Sequence, residues 1–378
     1  MTLLSYLRSI HRALPTLAST TRNVHVVIGN EACDLDSAVC AIVTGYLLAS
    51  KSERLVVPMM NIPRSDYPLK TEVQYVFNKS NITEDLLFFL DDLSLSDLHQ
   101  AKRLKLTLVD HNVVAKCLEP VNDAVVHVVD HHKWEGSFSS PVEKTVEMVG
   151  SCATLVGEKL LAEHRELADQ TITKLLISTI VTDTVNFSES AKKTTPKDLK
   201  VFKELLALLP DAEWSNEFEE IKQAKENVSR MAVCNLLRKD LKVVSTNELT
   251  VAISSVPVSL RSLIAMSTFQ IDLDLFRQQQ QANAVVVMTI TSKAEIGGCN
   301  KVERGMVIYV ETESLRNALL DYLKKFKQPS LELQELYPCP FVNQHPTMHF
   351  YIQNNVAASR KVVLPAIRTF MQSYDSSQ

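Results

Sequence analysis

Glycine is scarce. The chain has 8 glycines in 378 residues, where average usage of ~7% would give roughly 26. Neither GxGxxG nor GxxxxGK followed by Ser or Thr occurs, so loops whose glycine amides cradle phosphate are excluded. If the chain handles phosphate, metals and basic side chains must hold it. The 7 cysteines form no CxxC pair, which reads as reduced thiols in a reducing compartment rather than a disulfide framework. No apolar run approaches the ~18 residues of a membrane span, so no membrane role is expected. Excess positive charge is missing too. A formal net charge of −4 argues against a protein built mainly to hold nucleic acid.

What is present is an ordinary globular composition, 46% hydrophobic and 22% charged, long enough for two domains. The opening 22 residues carry Arg8, Arg12 and Arg22 but no acid. Two readings stay open for them: an amphipathic helix packing on the first domain of a cytoplasmic protein, or a mitochondrial-matrix targeting segment.

β-branched runs at 23–30, 54–62, 104–112 and 123–132 predict strands buried on both faces of a parallel sheet, and 85–93 reads as a further short strand. Helical spacing over 36–51, 71–80, 151–164 and 170–187 alternates with them. The expectation is an α/β protein: a doubly wound, mainly parallel N-terminal domain over 1–215 and a smaller α/β domain over 216–378. The second domain shows four strand-like runs, and the connection falls within the acidic-then-basic stretch 210–230.

Acids stand at the C-terminal ends of the first domain's apolar elements. "GNEACDLDS" supplies Asp34 and Asp36, "LVDHN" supplies Asp110, "VVDHH" supplies Asp130, and "VTDTVNF" supplies Asp183. The strand C-termini of open α/β sheets form the ligand crevice. One Asp at such a place is commonly a helix N-cap. Four such places, each beside His or Asn, put several carboxylates into one low-dielectric crevice, which requires cations. Oxygen donors with one or two imidazoles and no thiolate set suit Mn²⁺ or Mg²⁺. Asp34 and Asp36, two residues apart, can face different ions, while Asp110 and Asp183 can bridge them. Two such cations acting on one water point to hydrolysis of a phosphorus–oxygen bond. Far along the chain, Ser359 precedes Arg360 and Lys361 at a predicted helix start. Two cations there oppose the helix dipole unless an anion binds.

In order and spacing, "GNEACDLDS", "LVDHN", "VVDHHK", "VGSCATLV", "TDTVNF…KTTPKD", "LLRKD" and "SRKVVLP" resemble the DHH phosphoesterase superfamily, its Prune and short-chain exopolyphosphatase subgroup above all. The resemblance implies two divalent cations, Mn²⁺ or Mg²⁺, held by Asp34, Asp36, Asp110, His131 and Asp183, in a cleft between a DHH domain and a DHH-associated domain. The water activated there attacks a terminal phosphorus, with Asp36, Asp110, Asp183 and His132 as the catalytic set. It implies that His111, His132, Arg360 and Lys361 contact substrate, that Asp130 supports an imidazole, and that Lys133, Arg238 and Lys239 add charge. The related pyrophosphatases begin the first motif with a metal-binding His; here Asn30 stands there, expected as a weak oxygen ligand. The substrates so implied are tri- and tetraphosphate or nucleoside tetraphosphates. Cyclic-nucleotide phosphodiester hydrolysis and a signalling scaffold with a weakened site remain alternatives. No protein partner is legible.

Overall fold

The computed structural model describes residues 1–209, 216–229, 231–294, 300–337 and 345–375. Packing divides the chain into two compact units, Met1–Asn227 and Val228–Gln378.

The first unit opens with α1 (Leu3–Ala13), which Thr2 caps. Its apolar stripe of Leu3, Tyr6, Leu7 and Ile10 is buried, and Tyr6 donates to the Val56 carbonyl at 3.0 Å. The Arg-rich opening therefore forms a helix packed on the domain. Strands β1 (Val24–Ile28), β2 (Leu55–Met59), β3 (Leu104–Val109), β4 (Val125–Asp130) and β5 (Glu143–Val146) form one sheet in the order β2-β1-β3-β4-β5. Every pairing in it is parallel. The expected doubly wound core is thus present, and its order reverses between β1 and β3, where a crevice opens beyond the strand ends.

Helices pack around this sheet. α2 (Leu35–Ala49) follows β1, α3 (Thr71–Lys79) follows β2, and α4 (Leu95–Gln100) precedes β3. Next, α5 (Cys152–Glu163) and α6 (Gln170–Asp183) pack against α2. α7 (Pro196–Leu206) begins at a capping box in which Thr195 and Asp198 satisfy each other's backbone amides. The segment 85–93 is not a strand. It forms two short 3₁₀ turns, Glu84–Leu86 and Leu90–Asp92, with only an isolated Met60–Phe89 bridge. Paired acids at both turns disfavour a buried ladder there. Strand β5 was not foreseen, because its exposed, charged sequence carries no apolar run. Part of 210–230 is also structured: α8 (Glu217–Glu226) packs on α3, with Glu220 accepting from Tyr75 at 2.6 Å and Lys79 at 2.9 Å.

The second unit starts with α9 (Val233–Lys239) and a six-stranded mixed sheet. Its strands are β6 (Leu241–Ser245), β7 (Thr250–Val256), β8 (Ala284–Ala294), β9 (Asn300–Val310), β10 (Leu333–Glu335) and β11 (Met348–Gln353). They lie in the order β10-β11-β9-β8-β7-β6, with β7–β8 the parallel pair. Four strand-like runs gave six strands, since the first run folds back on itself as the β6–β7 hairpin and β10 is too short to read. Alternation along β8 feeds two cores. Val285 and Val287 meet α9, α10 (Leu260–Ile264) and α11 (Phe269–Gln279), whereas Val286 and Met288 meet α12 (Glu313–Lys325) and α13 (Arg360–Asp375). Among the described residues no helix is long and apolar enough to cross a membrane.

Candidate metal centre

A cavity of about 590 Å³ opens at the C-terminal strand ends of the first unit. Asn30, Asp34, Asp36, Asp110, His131, His132, Lys133 and Asp183 all line it. They come from four chain segments far apart in sequence: three follow the parallel strands β1, β3 and β4 on one edge of the sheet, and Asp183 ends the helix Gln170–Asp183.

Asp34 caps α2, its Oδ1 accepting from Ser37 N at 3.2 Å. The simple capping reading therefore describes part of what Asp34 does. Asp36, the second residue of α2, is buried and caps a different helix. Its Oδ2 accepts from Cys152 N at 2.6 Å and its Oδ1 from Ala153 N at 2.9 Å, at the start of α5, while Cys40 Sγ lies 3.2 Å from Oδ1. The positive end of α5 thus faces the carboxylate. Burial, then the charge of Asp110, still raise Asp36 well above the usual carboxylate range.

Asp110 follows β3 with φ 61°, a left-handed conformation that few non-glycine residues adopt. Its carboxyl is pushed up to about 7, chiefly by burial and against the opposing hydrogen bond from His131. Asp183 is the last residue of α6, in the segment whose spacing reads as helical. Burial and the neighbouring Asp36 raise it strongly, and its Oδ2 is buried with no hydrogen-bond partner. Three buried carboxyls that raise one another cannot all ionise unaided. A divalent cation resolves both the repulsion and the orphaned oxygen, so the donor set fits a metal.

The two histidines are oriented oppositely. His131 Nδ1 lies 2.9 Å from the Val149 carbonyl, which places a proton on Nδ1 and turns Nε2 toward Asp110 Oδ1 at 3.3 Å and Asp36 Oδ2 at 3.8 Å. Burial alone would lower its pKa, but the hydrogen bond to Asp110 and the charge of Asp36 override that and push it up to about 10. His132 instead gives Nδ1 to Asp130 at 2.8 Å, and its side chain stays 58% exposed. Asp130 therefore supports His132, while a backbone carbonyl sets the tautomer of His131. Among the described residues, Asp110, Asp130, His131 and His132 offer ligand atoms within 4.8 Å of one another.

Asn30 departs from the expected oxygen ligand. Its Oδ1 accepts from Ala32 N at 2.9 Å and Cys33 N at 3.2 Å, and its Nδ2 donates to Asp110 Oδ2 at 2.8 Å. The atom turned to the cluster is a donor, and all its partners fix that orientation. His111 also differs: Nδ1 meets the Val109 carbonyl at 2.8 Å, and the ring is not among the cavity's lining residues.

Several contributors went unread in the sequence. Asn112 bridges Asp130 Oδ2 at 2.5 Å and the Lys133 carbonyl at 3.0 Å, and only its place in "DHN" hinted at this. Lys192, Lys193 and Thr195 line the cavity; the motif "KTTPKD" contains the last two, but no role was read for any of the three. Asp198 is fully buried and accepts from Gly150 N at 2.9 Å, Thr154 Oγ1 at 2.5 Å and Thr195 N at 2.7 Å.

In the second unit, Arg360 donates to the carbonyl and side chain of Asp240, both at 2.6 Å. Ser359 Oγ accepts from Lys361 N at 3.3 Å. Arg360 and Lys361 line a cavity of about 490 Å³ together with Lys242. Arg238 and Lys239 close α9 and are not among that cavity's lining residues.

Comparison with known proteins gives two family matches: the DHH family N-terminal domain over residues 25–182 and the DHHA2 domain over 219–370. Exopolyphosphatase PRUNE1 of Homo sapiens is 36% identical, covering 98% of this chain and 80% of that protein. The manganese-dependent inorganic pyrophosphatase of Methanocaldococcus jannaschii is 25% identical over 61% of this chain and 71% of its own length. A solved exopolyphosphatase-related protein from Bacteroides fragilis has a TM-score of 0.43 and 11% identity, covering 98% of this chain and 96% of that one.

Proposed function

The chain belongs to the DHH family, in the group of the Prune exopolyphosphatases, and is a hydrolase; from that premise we propose that it removes terminal phosphates from short-chain polyphosphates, tri- and tetraphosphate or nucleoside tetraphosphates. The observation that carries this reading is the buried trio Asp36, Asp110 and Asp183 with His131 Nε2 turned onto it.

Asp34, Asp36, Asp110, His131 and Asp183 would hold two divalent cations, Mn²⁺ or Mg²⁺. When bound, such ions lower the pKa of water and neutralise phosphoryl oxygens. The chain's own groups do the rest. Val149 holds His131 in the tautomer that presents Nε2. Asn30 fixes the Asp110 carboxylate from one side. Asp130 keeps the proton of His132 on Nδ1, and in the protonated ring Nε2–H can donate to the oxygen that leaves. Once cations offset the carboxylates, Lys133 leaves positive charge where an anion must sit. Arg360 and Lys361 are proposed as phosphate contacts of the second unit, with Asp240 fixing the Arg360 fork.

The experiment is a substrate panel from pyrophosphate through tetraphosphate, with a cyclic nucleotide included, run with Mg²⁺ and with Mn²⁺. The reading expects orthophosphate release, fastest from tri- or tetraphosphate. Preferential opening of the cyclic nucleotide would replace it with phosphodiester hydrolysis, and no turnover of any member would favour a scaffold.

A further inference from the structure

The cavity that holds the acidic cluster has a basic part, in which the family reading gave a charge role to Lys133 but none to Lys192 or Lys193. Lys133, Lys192 and Lys193 line it together with the four carboxylates Asp34, Asp36, Asp110 and Asp183. All three lysines are exposed, and none forms an ion pair among the described residues. Two divalent cations would balance the four carboxylates. The lysines are then surplus positive charge facing the same space, and an ammonium is a compact point charge suited to phosphate.

The segment bearing Lys192 and Lys193 is held in place at both ends. After Asp183 the chain takes three consecutive left-handed residues, Val185 (φ 53°), Asn186 (51°) and Phe187 (56°), and Lys192 itself has φ 52°. A left-handed conformation is costly for a β-branched residue, so the turn persists only because its surroundings fix it. Asn186 N donates to the Val181 carbonyl at 2.8 Å, and the Phe187 ring packs on Phe202 with centroids 4.7 Å apart. At the far end, buried Asp198 ties Thr195 to Gly150, next to the Val149 carbonyl that orients His131. The backbone carrying both lysines is therefore fastened, through Asp198, to the loop that orients His131. Pre-set cations cost little ordering when an anion arrives.

We infer that Lys192 and Lys193, with Lys133, hold the phosphates beyond the one attacked and so select anions of three or more linked phosphates over pyrophosphate. This rests on the phosphohydrolase reading above and adds its chain-length determinant. It places that determinant in the first unit, apart from Arg360 and Lys361.

The test compares wild type, Lys192→Ala/Lys193→Ala and Lys192→Arg/Lys193→Arg on pyrophosphate and inorganic tetraphosphate with Mg²⁺. The alanine pair is expected to raise KM for tetraphosphate roughly tenfold to a hundredfold. The tetraphosphate-to-pyrophosphate ratio of kcat/KM falls at least tenfold (~1.4 kcal/mol), and the arginine pair restores most of it. A purely structural role would lower both substrates together and would overturn the inference, as would an unchanged ratio. Binding of tetraphosphate by calorimetry in an Asp110→Asn background supplies a readout that needs no turnover. There the alanine pair must weaken binding by a similar factor; equal binding overturns the proposal. Should wild type hydrolyse no anhydride, the functional reading fails while this binding comparison still decides the role of the lysines.

Discussion

His131 Nδ1 lies 2.9 Å from the carbonyl oxygen of Val149, and that contact aims the opposite ring nitrogen at Asp110. The next residue, Gly150, lets the loop sit where it does: a Cβ there would lie 2.8 Å from Asp198 Oδ2 and from Thr184 Cγ2, and 2.9 Å from the Lys193 carbonyl. Gly150→Ala must therefore push the loop off Asp198 and rotate His131. The expected outcome is a loss of about 1–3 kcal/mol in stability and at least a tenfold loss in Mn²⁺ affinity. Denaturant unfolding and Mn²⁺ titration of the same variant check it; unchanged affinity would contradict the orienting role.

Asp36 and Asp183 are neighbours with different second duties. Asp36 also caps α5 through Cys152 N and Ala153 N, whereas Asp183 Oδ2 has no partner. Without metal, Asp36→Ala should destabilise by about 1–2 kcal/mol, while Asp183→Asn should be neutral or stabilising near pH 8 because it removes buried like charge. Both should abolish hydrolysis. Metal-free thermal melts separate them, and equal destabilisation of the two variants would refute the assignment.

The pH dependence of the metal-free protein follows from the same groups. Asp110 is raised to about 7 and His131 to about 10. Each binds its proton more tightly folded than unfolded, so stability falls as pH rises. The carboxyls contribute this loss from about pH 4 to 7 and His131 from about 6.5 to 10. Tm of chelated protein should drop by several degrees between pH 5 and 8.5, at roughly 2–4 °C per kcal/mol. Added Mn²⁺ displaces those protons, so its stabilisation should grow over the same range. A flat or rising metal-free curve would show that the cluster is not buried like this.

Much of this was legible because parallel strands announce themselves: "LKLTLV" and "VVHVVD" are apolar throughout, and their acids fall where the sheet ends. Asp183 falls within the helical spacing read over 170–187, and it is the last residue of that helix. A role for Lys192 and Lys193 was not legible, even with Lys193 inside "KTTPKD", because a polar run carries no direction; the left-handed turn that places them is fixed by tertiary contacts such as Phe187 on Phe202. The role of Asn30 was likewise beyond composition. Only the neighbouring amides of Ala32 and Cys33 decide which end of its side chain faces Asp110.

Asn30→His tests that last point. The present amide donates to Asp110 Oδ2 at 2.8 Å, whereas an imidazole there adds a nitrogen donor that favours Mn²⁺ over Mg²⁺. Mn²⁺ affinity should rise about tenfold, the size typical of altering one group around a metal, and relative turnover of pyrophosphate should rise with it. Metal titration and the substrate ratio check both; a fall in Mn²⁺ affinity would mean that the hydrogen bond to Asp110 matters more than the added donor.

The central claim, that the buried carboxylates hold divalent cations for phosphoanhydride hydrolysis, is tested most directly by orthophosphate release from tripolyphosphate. Chelated wild type and Asp110→Ala are assayed before and after Mg²⁺ or Mn²⁺ is restored. The account predicts turnover by wild type only with metal, and at least a hundredfold less by the variant, on the order of the loss when one charge-stabilising group is removed. Turnover that survives chelation, or a variant as active as wild type, would contradict it.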